Sequence, residues 1–222
     1  MENDNHISGF IRGNRLARAG QPWTWGYVIF RTVYTAESDE HWASVLSKLE
    51  GYLFRELEHP LWWDYRSLAP EDIRAYPAPP QADPAVFEDF RKRLQHQIID
   101  DKATLDGLSI VEVRQKFIDF ESSIPVVKRM SLKSEWCLMI DNEVLKSIIA
   151  APEPTRRSPE DMCLARGPGQ PFIKVVAKDS GAGSDDPDYE GWMLASLNYL
   201  WALYQVSAIY MRAKSLALEL QV

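Results

Sequence analysis

From Tyr27 to Tyr34 the chain reads Tyr-Val-Ile-Phe-Arg-Thr-Val-Tyr, almost entirely β-branched or aromatic residues, the types that suit a pleated, half-buried surface. The run predicts a strand near 26–34. Side chains alternate faces along a strand, so Tyr27, Ile29, Arg31 and Val33 share one side and Val28, Phe30, Thr32 and Tyr34 the other. Both sides are mainly apolar, which belongs to an interior strand covered by helices above and below. Arg31 is the exception. A guanidinium among Tyr27, Ile29 and Val33 is costly to desolvate unless carboxylates or carbonyls meet it. It is therefore a structural ion pair, a residue near the strand end that reaches water, or an anion clamp in a cleft at the sheet edge.

Beyond the strand, Ser38 is placed to cap a helix, with Asp39 and Glu40 in the first turn, where carboxylates favour the positive dipole end. Trp42, Val45, Leu46, Leu49 and Leu53 recur at helical spacing, and Pro60 marks the stop near Glu58. His41 and His59 flank this helix without ligand spacing, and no metal site is expected. Leu61–Arg66 is an aromatic and charged knot in which Trp63, Asp64 and Arg66 are candidates for a pocket mouth. Four prolines between 75 and 84 make an extended connector, and Asp83-Pro84 opens a second helix with the stripe Phe87, Phe90, Leu94 and Ile98.

Asp106-Gly107 reads as a turn, and Ser109 with Glu112 as a capping box for a third helix whose buried side carries Ile110, Val113, Phe117 and Phe120. Arg114 lies off that stripe and is a candidate for polarising a ligand. Residues 135–140 predict a second strand that runs straight into Asp141, an N-cap for the helix 142–150. Ligands of α/β sheets gather where strand ends meet helix starts, so Asp141 is also a candidate binding residue. A third strand is predicted over 172–177. Flexible loops are expected near 151–170 and 178–190.

Trp192 to Met211 contains no charged residue. Its length would span a bilayer, but interspersed Ser196, Asn198, Gln205 and Ser207 favour a buried helix, whose remainder is a candidate homodimer face. A tail anchor is the minor alternative. Residues 1–22 read as an irregular arm before a single globular domain, 23–222. The expected fold is α+β: a small central sheet of three or four strands packed by about five helices. A ferredoxin-like arrangement is the alternative.

The formal net charge of -7 argues against nucleic acid as a partner, since that binding rests on a basic face. Two cysteines, Cys137 and Cys163, make no disulfide framework, and together with an N-terminus that lacks a secretory core they suggest a reducing cytoplasm.

Four stretches, Trp25–Tyr34, Leu105–Arg114, Ile140–Ile148 and Gly191–Met193, give the pattern WGYVIFRTVY, LDGLSIVEVR, IDNEVLKSI and GWM. In that order and spacing the chain resembles a widespread family of uncharacterised single-domain proteins of filamentous fungi. The resemblance implies a fungal, intracellular, stand-alone protein and supplies no catalytic residue and no cofactor. No G-x-S-x-G, H-E-x-x-H, P-loop or complete dinucleotide fingerprint occurs. The reading therefore favours a protein- or ligand-binding protein. The alternative is a metal-independent, cyclase- or isomerase-like enzyme acting on a small organic molecule.

Overall fold

A computed structural model describes residues 7, 10, 11, 14, 19–58, 83–125, 135–154, 170–179 and 190–205. The candidates Trp63, Asp64 and Arg66, most of the proline connector and of the two loops, and the chain after Gln205 lie outside the described residues.

The described elements run β1 (Val28–Arg31), α1 (Ala36–Glu58), α2 (Pro84–Lys92), β2 (Gln97–Ile99), α3 (Lys102–Leu105), α4 (Ile110–Ser123), β3 (Trp136–Ile140), α5 (Asn142–Ala150), β4 (Phe172–Ala177), β5 (Trp192–Ser196), a 3-10 turn (Leu197–Tyr199) and α6 (Leu200–Gln205). They form one mixed sheet in the order β2-β1-β3-β4-β5. β1 pairs in parallel with both β2 and β3, while β3–β4 and β4–β5 are antiparallel. The α+β expectation stands, with five strands in place of three or four. The parallel pairs flanking β1 set it apart from the all-antiparallel ferredoxin-like alternative.

β1 is interior, as its two apolar faces require. Tyr27, Ile29 and Val33 join Leu138, Ile140 and Val175 in a core under α1, α2, α5 and α6. Val28 and Phe30 join Cys137, Met139 and Val176 on the opposite face, against Val113 and Phe117 of α4. Each strand thus divides its residues between two cores by the period of two. Full burial of each Val, Ile or Phe contributes about 1.5–3 kcal/mol.

Several local predictions hold at atomic detail. Ser109 Oγ accepts from the Glu112 N–H while Glu112 accepts from the Ser109 N–H, completing the capping box of α4. Asp141 Oδ1 accepts from the Val144 N–H at 3.0 Å and caps α5. At α1 the cap falls three residues earlier than expected. Thr35 is the residue outside the helix, and Thr35 and Ser38 exchange backbone N–H to hydroxyl hydrogen bonds of 2.9 and 3.1 Å.

Two expectations are corrected. The stripe assigned to a second helix is split, because α2 ends at Lys92, Leu94 bridges to Trp25, and Ile98 sits in β2. Phe-x-x-Phe spacing fits a helix, but the ladder offered by β1 captures the residues beyond Lys92. Likewise, Trp192 begins an edge strand and helix starts only after Ser196. A short apolar run does not distinguish strand from buried helix by periodicity. From Leu197 to Tyr204 every residue is buried in the protein's own core, and residues 206–211 of the candidate dimer face lie outside the described residues. No helix among the described residues is long and apolar enough to cross a membrane.

Toward the N-terminus, Ile7, Phe10 and Ile11 are helical. Ile7 is fully buried, and the Phe10 ring meets Phe90 and Trp201 at 5.5 Å each.

Candidate functional site

The chain leaves β1 for β2 on one side and then returns past β1 to place β3 on the other. In open sheets ligands bind outside the carboxyl ends of strands at such a reversal. A cleft of about 460 Å³ lies there, lined by Thr32–Thr35 leaving β1, by Asp106, Gly107 and Leu108 of the turn before α4, and by Asp141, Asn142 and Glu143 opening α5. The turn is held against β1 by the Gly107 N–H, which donates to the Thr32 carbonyl at 3.0 Å. Gly107 has φ +71°, a conformation that glycine adopts without steric cost.

Three acidic residues from two segments, Asp106, Asp141 and Glu143, line this space. Lys174 reaches up from β4 and offsets two of them, at 2.6 Å from Asp141 and 2.8 Å from Glu143. Burial opposes the charge on Lys174, but the hydrogen bonds and charges of Asp141 and Glu143 outweigh it and raise its pKa. Because Asp141 occupies the N-terminus of α5, that helix end is already supplied with negative charge.

Tyr34 forms the aromatic wall. Its hydroxyl is sealed from solvent beside Asp100 without a hydrogen bond of normal geometry, and burial and Asp100 hold it well above the usual tyrosine range. The two threonine hydroxyls are engaged: Thr32 Oγ1 donates to the Ile140 carbonyl at 3.3 Å, and Thr35 Oγ1 accepts from the Ser38 N–H. Among the residues lining it there is no histidine, cysteine or serine.

Of the sequence candidates among the described residues, Arg31, Arg114 and Asp141, only Asp141 lines the cleft. Arg31 lies behind its wall and is 6% exposed. Its Nε donates to the Val33 carbonyl at 3.0 Å, and its terminal nitrogens donate to Asp100 at 3.3 Å, to Ser38 Oγ at 3.0 Å and to Asp39. The rings of Tyr34 and Trp42 cover it at 4.6 and 4.7 Å. Arg31 thus ties the end of β1 to the start of α1 and the end of β2. Arg114 sits at the opposite end of the sheet, where it donates to the carbonyls of Ala177 at 3.0 Å, Glu190 at 2.8 Å and Gly191 at 3.1 Å and staples β4 to β5. The structure does not bring Arg31, Arg114 and Asp141 together.

Sequence reasoning missed Tyr34, Asp106 and Glu143. Each lies just past a strand or in a turn, but only the strand order shows that these ends meet. Cys137 is fully buried, and burial pushes its thiol far up, away from nucleophilic use. No group of histidine, cysteine and acidic side chains among the described residues is arranged to hold a metal ion. The chain matches no protein-family model, no curated protein and no solved structure.

Proposed function

We propose that the protein binds a small, donor-rich, positively charged organic molecule in the cleft at the ends of β1 and β3. The observation that carries this reading is the charge balance: three acidic residues line the same recess of about 460 Å³, and Lys174 pairs with two of them, Asp141 and Glu143. A ligand amine would complete the balance, and the Tyr34 face beside it suits a cation. The engaged hydroxyls of Thr32 and Thr35 favour binding over covalent chemistry.

The test is a thermal-shift titration of the full chain with putrescine, spermidine and glucosamine against inorganic phosphate. A ligand present at one hundred times its Kd stabilises by about 2.7 kcal/mol. The amines should raise the melting temperature of the wild type and leave Asp106→Asn unmoved. Stabilisation by phosphate alone would overturn the reading.

A second reading, self-association, is favoured by one observation: among the described strands β5 pairs only with β4. An edge strand of this kind is a template for pairing between two copies. Light scattering across a concentration series tests it, and a monomer throughout would remove it.

A further inference from the structure

We propose that His96 is an acid-sensitive latch: when its ring takes a proton, the β2 segment releases from β1 while the rest of the sheet stays folded. The segment Arg93–Gln97 is zipped onto Trp25–Tyr27 by backbone hydrogen bonds, Trp25 N–H to Arg93 at 3.1 Å, Gln95 N–H to Trp25 at 2.8 Å and Gln97 N–H to Tyr27 at 2.8 Å. Within this zipper the N–H of Tyr27 donates to a side chain, His96 Nδ1, at 3.1 Å. The ring is therefore the neutral form with its proton on Nε2. Nε2 is sealed from solvent and has no hydrogen-bond partner.

A second proton must go to Nδ1. There it would face the Tyr27 N–H donor to donor, and the charge would have nothing to meet it. From the residue just before β1 the ring faces Tyr27, lying nearly parallel to it at 6.1 Å. From α6 comes Tyr204, which packs edge-on against Tyr27 and accepts from the Gly26 N–H, its own pKa pushed up to about 12 by burial. From the connection before β2, Gln95 is uncharged and Arg93 is turned to Asp89. Among the described residues no carboxylate pairs with His96.

Burial accordingly lowers the His96 pKa to about 4 from 6.5. Any opening that exposes the ring restores the higher value, so acid favours the opened form. With those two values the opened population grows about 20-fold between pH 7 and pH 5. β2 is the element that can yield, being an edge strand of three residues paired, among the described strands, only with β1. Asp100 follows it directly and is an anchor of Arg31, so release of β2 also loosens the wall that carries Tyr34.

The test is amide exchange on the full chain at pH 7 and pH 5, with protection corrected for intrinsic rates. The Tyr27 and Gln97 amides should lose about 20-fold in protection while Leu138 in β3 keeps its own. In His96→Asn, whose Oδ1 takes the place of Nδ1 as an acceptor but takes no proton, that pH dependence should vanish. Loss of protection at Leu138 in step with Tyr27 would overturn the latch. So would a His96 ring titrating near pH 6.5 by NMR in the folded wild type, a measurement that needs no variant to fold.

Discussion

The Arg31 guanidinium lies 4.6 Å from the centre of the Tyr34 ring, so the cation buried at the end of β1 is also the base on which the aromatic wall of the cleft rests. Fold and site therefore share one side chain. Its carboxylate partners are unequally placed, with the Asp39 side chain 62% exposed and that of Asp100 38%. Removing the cation strands neither of them in a dry interior.

The expected penalty of Arg31→Lys is therefore the loss of forked hydrogen bonds to Val33 and Ser38 rather than of an ion pair, about 2 kcal/mol. Urea denaturation should show a lower midpoint with an unchanged slope. Amine binding in the cleft should weaken in parallel as Tyr34 loses its support. An Arg31→Lys protein as stable as the wild type would remove Arg31 from this structural role.

Gly26 and Gly107 both have positive φ, +155° and +71°, yet substitution should separate them. A Cβ on Gly26 would stand 2.5 Å from the Gln95 carbonyl oxygen, and the zipper between these segments leaves that backbone nowhere to go. At Gly107 a Cβ meets nothing within 4 Å. Gly107→Ala should cost about 1 kcal/mol of backbone strain, and Gly26→Ala about 3 kcal/mol or more. Equal midpoints for the two variants would contradict the close approach of β1 and the segment before β2.

How much of the structure is legible in the sequence depends on the range of each signal. The caps at Ser109 and Asp141 and the strand through Ile29 rest on residues within a few positions of one another, so their hydrogen bonds can be read from the chain alone. β2 cannot. Ile98 and Ile99 are strand because Ile29 and Phe30 lie beside them, a contact about seventy positions distant, whereas their local spacing continues a helical stripe. The same holds for the cleft. Asp141 stands out because a strand runs into it, but Asp106 joins it only because β3 is threaded to the far side of β1. For Arg31 the residue type and its apolar neighbours announce a paired cation. Which partners it takes depends on α1 and β2 meeting at the end of β1.

Cys137 pairs opposite Val176 in the middle of the sheet and is fully buried. Its thiol should resist a disulfide reagent in the native protein and react only on unfolding. Labelling in a Cys163→Ser background isolates it, and the labelling rate should rise with urea along the unfolding curve. Rapid labelling in native buffer would show that the core above α4 is open.

Asp141 does two things at once, since one oxygen caps α5 at Val144 and the other meets Lys174. Substitutions separate them. Asparagine caps a helix as well as aspartate does, so Asp141→Asn removes only the charge, and Lys174 keeps Glu143 at 2.8 Å. Asp141→Ala removes both and should cost about 1–2 kcal/mol, with the asparagine variant losing less than about 1 kcal/mol. The alkaline limb gives an independent reading. Folding raises the Lys174 pKa, so its contribution is fully present below the unfolded value of 10.5 and is lost as pH rises through the higher folded value. Stability of the wild type should therefore decline above about pH 10.5, and less steeply in Asp141→Asn. If the two variants were equally destabilised at pH 7, the ion pair rather than the cap would be what holds the start of α5 at the cleft.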